Sequence, residues 1–481
     1  MDMDENDVLG QLARARDNEA SPVGGSFTAP NPPSRDLIDD CVHCGFCLPA
    51  CPTYNLWGQE MDSPRGRIHL MKQALEGEPI DASMMGHFDA CLGCMACVTA
   101  CPSGVQYDKL ITSTRAQIEE LKSDSRSRSQ RLLRAGVFAL FPYRRRLSIV
   151  RPLLALYQKL RLDVLVRKSG ILERISPSMA MMASVAPRIT PYVKLPECID
   201  AVGRPRLVVG MLTGCIQDAF YSNVNAATAR VLSMEGCDVI IPPQECCGAL
   251  SLHSGRAKEG RRFARNLIDA FEKSGVDRIV VNSAGCGSSM KEYAEILEGD
   301  DEYREKAEEF AAKVVDISEL LDEIGPQATR HPLNITIAYH DACHLSHAQG
   351  IRKQPRSVLT GIPGVTLREI EDGDICCGSA GVYNLLNPGP AGDLGDRKAT
   401  NVAATGAGLL VTSNPGCLLQ ISAALSRKGE SMLTAHTIQV LDASLRGLDG
   451  SEFGASLPSD LGARSDSAAG GCQCGGQCGG N

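Results

Sequence analysis

Two cysteine runs near the amino terminus constrain this chain more than anything else in it: CVHCGFCLPACP (41–52) and CLGCMACVTACP (91–102). Both read C-x2-C-x2-C-x3-C-P. Three thiolates three residues apart let one short loop wrap a face of an Fe4S4 cube, with backbone N–H groups turned toward sulfur. Where this spacing occurs twice, the fourth cysteine of each run serves the other cluster. The expected ligand sets are therefore Cys41, Cys44, Cys47 and Cys101 for one [4Fe–4S] cluster, and Cys91, Cys94, Cys97 and Cys51 for its partner. Crossed ligation ties the two segments together and sets the clusters close enough for electron hopping. A pair of zinc sites would also use C-x2-C pairs, but zinc needs two pairs per ion and has no use for a repeated third cysteine and Cys-Pro. Pro52 and Pro102, with fixed φ and no N–H, favour a chain that turns away after the swapped cysteine.

The chain carries 21 cysteines, which in an exported protein would suggest disulfides. Its start, MDMDENDVLG, has neither a basic n-region nor an apolar h-region. The expected compartment is thus the cytosol, where clustered cysteines are metal ligands or redox groups. A formal charge of -8 argues against nucleic acid as a partner. No run of about 18 apolar residues suggests a membrane span.

The expected organisation is α+β and multidomain: a helical two-[4Fe–4S] ferredoxin-type domain followed by two repeated α/β CCG domains. Residues 1–34 read as a flexible leader and 35–125 as the cluster domain, with SPRGRIHLMKQALEG supplying a helix between the runs (Ile68, Met71, Ala74 and Leu75 at helical spacing). Residues 126–204 read as a basic helical linker. Within it, residues 131–168 hold ten Lys or Arg against one acid, Asp163, a net of +9 in an acidic protein. Short β-rich runs alternating with helical stretches then place one CCG domain at 205–325 and a second at 332–447. Residues 448–481 read as a low-complexity Gly/Cys tail, and the chemistry gives no account of Cys472, Cys474 and Cys478.

The α/β half has its own cysteine pattern. Cys215, Cys246–Cys247–Gly248 and Cys286 are spaced by 31 and 39 positions; Cys343, Cys376–Cys377–Gly378 and Cys417 by 33 and 40. Each single cysteine follows an apolar β run, which puts it at the carboxyl end of a parallel strand, where α/β sheets bind ligands. Glycine after each pair would let the backbone approach a cluster closely. Buried free cysteines and a catalytic dithiol are the competing readings, and spacing alone does not say whether each repeat binds a cluster or both share one. Cys198 and Cys237 lack partners at ligand spacing and read as structural.

The segments CVHCGFCLPACPTYNLWGQEMDSPRGRIHL, VNAATARVL, ECCGAL, SAGCGSSMKEY, LSHAQGIRKQPRSVL, CCGSAGVYNLL and NPGC closely resemble the iron–sulfur subunit of bacterial glycolate oxidase, over about residues 36 to 445. That family belongs to a wider group with paired CCG domains, including heterodisulfide reductase, anaerobic glycerol-3-phosphate dehydrogenase and lactate-utilisation subunits. The resemblance implies a membrane-associated complex that oxidises glycolate to glyoxylate, with FAD on a partner subunit and this chain relaying single electrons toward a quinone. It also implies that the eight amino-terminal cysteines are cluster ligands. Heterodisulfide reductase-type motifs end in C-x-x-C; here Ser289 and Gln420 stand in those places, which favours four-cysteine ligation of a cubane cluster in at least one repeat. No G-x-G-x-x-G fingerprint occurs in a β–α context, so no flavin or NAD site is expected on this chain.

His253, His340, His344 and His347 lie near the CCG cysteines in sequence, as structural hydrogen-bonders or as donors to a cluster sulfur or quinone oxygen; His344, adjoining Cys343, is the first candidate. The basic linker would either lie on an anionic membrane face, giving a peripheral contact, or pack on the acidic domains or the flavin subunit. A D-lactate or glycerol-3-phosphate dehydrogenase subunit and a thiol–disulfide reductase are the rival functions.

Overall fold

A computed structural model describes residues 26–28, 31–121 and 128–458. The amino-terminal domain is helical, and its two cysteine runs are loops between helices. Helix Pro64–Leu75 forms between them: Ser63 caps it by accepting from the Gly66 N–H at 3.1 Å, and Pro64 occupies the first turn, where a missing N–H is harmless. Its buried Ile68, Leu70 and Met71 meet Phe88 of helix Ala82–Ala90 and Leu110, Ile111 and Ile118 of helix Tyr107–Leu121. Pro52 does more than turn the chain away, since it opens helix Pro52–Trp57 directly after Cys51. Of the expected leader, Ser26 is already anchored: its N–H donates to the Ala74 carbonyl and its hydroxyl to that of Glu78.

Five helices follow in the basic segment: Arg128–Leu140, Arg144–Lys159, Leu162–Ser169, Ile171–Ile175 and Pro177–Ser184. No helix among the described residues is long and apolar enough to cross a membrane.

The carboxyl-terminal half holds two sheets. The first comprises β1 (Cys198–Ile199), β2 (Leu207–Met211), β3 (Cys237–Ile240), β4 (Arg278–Val281) and β5 (Val314–Asp316), in the order β1-β3-β2-β4-β5. The second comprises β6 (Ile335–Tyr339), β7 (Val365–Glu369), β8 (Leu409–Thr412) and β9 (Leu433–His436), in the order β7-β6-β8-β9. All pairings are parallel except that of β1, so the second sheet repeats the order of the first without its antiparallel edge. The unit expected to begin at residue 205 takes its first strand from Cys198.

The two repeats are not independent bodies. One continuous apolar core contains Met211 and Val280 of the first sheet together with Ile337 and Val411 of the second. Helices Ser222–Met234 and Thr437–Leu445 meet between them, fastened by Arg230 and Asp442 at 2.7 Å. The expected tail also loses its first residues to the fold. Helix Gly450–Ser456, capped by Asp449, buries Phe453 and leads into buried Leu457. Apolar residues four apart give a helix one buried face, and the surrounding Gly, Ser and Asp hid that pair. Cys472, Cys474 and Cys478 lie outside the described residues.

Candidate metal centres and the cavity between them

Cys41, Cys44, Cys47 and Cys101 line one surface hollow, with Cys97 also at its wall, so the second run brings thiols to the first. Burial raises the Cys41 thiol, and Cys101 and Cys44 beside it raise it further. Cys44 is exposed, and its neighbours Val42 and Phe46 are 67% and 64% exposed, so this centre faces outward. Arg65 spans the loop, donating to the His43 carbonyl at 3.0 Å while paired with Glu60.

The inner group is Cys51, Cys91, Cys94 and Cys97, all buried. Burial pushes Cys97 well up, reinforced by Cys94, Cys91 and Cys51. Cys94 is likewise pushed well up, by burial first and next by Cys343 of the second repeat. Burial also raises Cys91, yet Arg67 and Arg115, the Gly93 N–H and the Tyr107 hydroxyl together hold it below the ordinary thiol value. Arg67 was not foreseen. Its side chain is 1% exposed, and its guanidinium donates to the His87 carbonyl at 2.7 Å and Thr53 at 3.1 Å. It also lies 4.0 Å from the Cys51 sulfur and 3.5 Å from Asp62. Burial holds Cys94 and Cys97 in the thiol form, and buried thiols become stable thiolates only when cations offset them. Iron with two guanidiniums nearby supplies that offset, so the donor set fits a cluster.

Each α/β repeat gathers its own four cysteines at the carboxyl ends of its central strands. Cys215 and Cys286 start the helices that follow β2 and β4, with Cys246 and Cys247 on the loop after β3. The Cys215 and Cys246 sulfurs lie 3.5 Å apart. Cys246 is pushed well up by its contact with Cys215, whereas Cys247, contacted by Cys246 and Cys286, is pulled well down. In the second repeat Cys376 is raised first by Cys343, Cys377 is lowered first by Cys376, and Cys417 is raised first by Cys377. One low thiol among raised neighbours is the behaviour of four sulfurs sharing a site.

The glycines of the two CCG triplets also meet a demand of the fold itself. Gly248 and Gly378 sit at φ +78 and +88, the left-handed region. A Cβ would stand 3.0 Å from the Gly260 carbonyl oxygen in one case and 2.7 Å from that of Ala391 in the other. Turn and helix packing demand these glycines.

The histidines divide by environment. His344 donates from Nε2 to the Gly93 carbonyl at 2.9 Å, and His347 contacts Thr99 at 3.0 Å, so both join the second repeat to the inner cysteine loop. Burial lowers His344 and, more strongly, His253, whose ring centroid is 4.8 Å away; both are neutral near pH 7. His340 is 1% exposed with neither ring nitrogen hydrogen-bonded, and it lies within 4.8 Å of the Cys377 and Cys417 sulfurs. Leu212 stands at its place in the first repeat, three residues before Cys215 as His340 is before Cys343. Cys237 is buried in β3, where burial pushes its thiol up to about 11, and Cys198 is exposed in β1. Both stand outside the four groups.

A cavity of about 550 Å³ lies among these centres. All eight cysteines of the repeats line it, together with Cys94, His253 and His344. Part of its wall comes from the basic segment, including Leu147, Val150, Leu154 and Tyr157.

These elements define an electron-transfer protein with a ferredoxin-type cluster domain joined to a paired cysteine-rich domain. Family models agree along the chain: a 4Fe-4S dicluster domain over residues 37–105, the linker region of the glycolate oxidase iron-sulfur subunit over 129–186, and the cysteine-rich domain twice, over 209–291 and 337–422. The chain is 39% identical to the probable glycolate oxidase iron-sulfur subunit of Bacillus subtilis over 402 residues, covering 82% of this chain and 90% of that one. It is 36% identical to the glycolate oxidase iron-sulfur subunit of Escherichia coli over 398 residues, covering 81% and 90%. Lactate utilization protein A of Shouchella clausii is 29% identical over 241 residues, 49% of this chain and 98% of that one. The chain belongs to the family of glycolate oxidase iron–sulfur subunits.

Proposed function

We propose that this chain relays electrons, one at a time, from an FAD-bearing partner that oxidises glycolate to a quinone. The observation that carries the reading is the adjacency of Cys94 and Cys343, which joins the ferredoxin-type cysteines to those of the repeats. In this reading Cys41, Cys44, Cys47 and Cys101 hold the entry cluster, and Cys51, Cys91, Cys94 and Cys97 the inner one. Cys343, Cys376, Cys377 and Cys417 then form the next site, and Cys215, Cys246, Cys247 and Cys286 the last. Clusters at these places would supply single-electron redox steps. Exposure supports this order: the loop around Cys44 is open to a flavin partner, while burial would exclude water and oxygen from the inner sites. His344 binds the seam between the second and third sites through the Gly93 carbonyl.

Glycolate gives up two electrons and two protons in becoming glyoxylate. A flavin on the partner would accept both electrons, and clusters held by these cysteines would supply the single-electron steps. Kinship with lactate utilization proteins favours lactate as the second choice of acid. A heterodisulfide-type reaction has less support, because Gln420, at the position of a fifth cysteine, is tied to Asn384 at 3.0 Å and the Ala391 carbonyl at 2.8 Å.

The test is anaerobic mixing of the purified complex with glycolate or D-lactate, followed by freeze-quench EPR. Reduction of the clusters by glycolate on the timescale of turnover is expected. Cluster reduction by lactate alone, or a bleached flavin with clusters left oxidised, overturns the assignment.

A further inference from the structure

The two repeats give their cysteines unlike surroundings, and the difference begins at one equivalent position. Just past β2, the Leu212 N–H donates to the Val280 carbonyl at 2.9 Å; just past β6, the His340 N–H donates to the Val411 carbonyl at 2.9 Å. Each residue stands three positions before the first cysteine of its repeat. Leu212 belongs to an apolar cluster with Cys246 and Cys247. The second repeat has an imidazole in that place.

A second exchange points the same way. Gly248 packs against Gly260 and Gly378 against Ala391, which sets the following helices in register. Seven residues further on stand Leu267, in the same apolar cluster, and Lys398. Lys398 is 2% exposed, and its Nζ donates to the Asp372 carbonyl. Burial lowers its pKa while Cys377 and Cys376 act to raise it, so the side chain lies near the cysteine pair. Two leucines around the first set of cysteines thus become two nitrogen bases around the second.

His340 is the one with nothing to hold. Both of its ring nitrogens are buried without a hydrogen bond, and no other histidine among the described residues is left in that state. Buried His436, by contrast, uses Nε2 on the Asn282 carbonyl and Nδ1 on the Ile438 N–H. A buried polar group without a partner is rare and calls for one of another kind, such as an ion. The neighbours fit that role. A His340 nitrogen and the Cys377 and Cys417 sulfurs all lie within 4.8 Å of one another, and all three residues are buried. Imidazole is a good ligand for iron and takes the place of thiolate in some iron–sulfur centres.

We propose that His340 is a nitrogen ligand of the second-repeat metal centre, beside Cys377 and Cys417, so that the two repeats hold unlike centres. The first is ligated by sulfur alone, the second by sulfur and imidazole. The proposal rests on the reading that the repeat cysteines bind metal. The ring gives iron the lone pair of one nitrogen and keeps its proton on the other, and no bond breaks.

The test is EPR with nitrogen hyperfine (HYSCORE) spectroscopy on anaerobic holoprotein, grown with ordinary histidine or with histidine carrying the heavy nitrogen isotope. The second-repeat signal is the one that Cys376→Ser with Cys377→Ser removes; Cys246→Ser with Cys247→Ser marks that of the first. The second-repeat signal is expected to show a strong nitrogen coupling that changes with the isotope, and the first-repeat signal none. Both His340→Leu and His340→Cys should lose the coupling, and the cysteine variant, which keeps a donor there, should retain the wild-type iron content. Labelling reads the wild-type protein, so it decides the matter even where a variant misfolds. A second-repeat signal with no coupling or only the weak one carried through a hydrogen bond, a coupling kept by either His340 variant, or equal coupling in both repeats overturns the proposal and leaves the relay standing. If Cys376→Ser with Cys377→Ser removes neither signal nor iron, the proposal and the reading beneath it fail together.

Discussion

Arg67 offers the sharpest test of how the inner centre is tuned. Its guanidinium is buried 4.0 Å from the Cys51 sulfur, and Cys91 feels it more than any other charge. A unit charge about 4 Å away contributes roughly 4 kcal/mol at an effective dielectric of about 20, and about half that at twice the distance. Asp62, 3.5 Å from the guanidinium, offsets part of this, so the lower figure is the better guide. Since 59 mV corresponds to about 1.4 kcal/mol for one electron, Arg67→Met should lower the inner cluster's potential by on the order of 100 mV. The entry cluster should move far less. Stability should also fall, toward the lower end of the roughly 3–5 kcal/mol for breaking a buried pair, because Asp62 keeps His87 at 2.9 Å. Arg67→Lys should hold most of the potential while losing the forked hydrogen bonds to His87 and Thr53. The assay is an anaerobic potentiometric titration followed by EPR. Equal shifts in both ferredoxin-type clusters, or no shift in either, would refute the reasoning.

Three further outcomes follow from the same geometry. His436, buried with Nε2–H donating to the Asn282 carbonyl and Nδ1 accepting from Ile438, has its pKa lowered by burial from 6.5 to about 4. Its unfolded form takes a proton first as pH falls, so the stability it contributes is present above about pH 6.5 and lost toward pH 4, by roughly 2 kcal/mol at about pH 5; urea midpoints should show this slope flattened in His436→Gln, and an unchanged slope would contradict it. Gly378→Ala, at φ +88 with a Cβ 2.7 Å from a backbone oxygen, should cost about 2–4 kcal/mol, whereas Gly58→Ala, left-handed but with nothing within 4 Å, should cost about 1; equal melting temperatures for the two variants would show that the close approach is not felt. His340→Leu, which copies Leu212 of the first repeat, should shift the potential of the second-repeat centre and leave the ferredoxin-type signals unmoved; EPR titration of the variant decides it, with no shift counting against a role for the ring.

Legibility in the sequence followed the range of the interactions. The ferredoxin-type cysteines sit three residues apart on single loops, so local spacing suggested their grouping, and the motif offered the crossed Cys51 and Cys101. The repeat cysteines were found because duplication makes a pattern visible without any fold. Arg67 carried no such signal: one arginine in RGRIHL reads as solvated, and only the folded helix turns it beneath Cys51. The shared core of the repeats was hidden for a related reason, since strand patterns tell which face is apolar and not which neighbour covers it. Gly248 and Gly378 were noticed for their freedom, but the helix carbonyl that closes on each lies more than ten positions along the chain and gave no signal. Strand β1 escaped because two residues cannot show a period, and helix Gly450–Ser456 because its composition resembles a linker.

The central claim is that the ferredoxin-type cysteines and those of the repeats form one chain of metal centres. Iron and acid-labile sulfide, quantified per polypeptide in protein prepared without oxygen, test it most directly. Two [4Fe–4S] clusters account for about eight irons, so the account requires about twelve to sixteen, and Cys376→Ser with Cys377→Ser should remove part of the excess without disturbing the ferredoxin-type EPR signals. A wild-type count of about eight, unchanged by those substitutions, would contradict it.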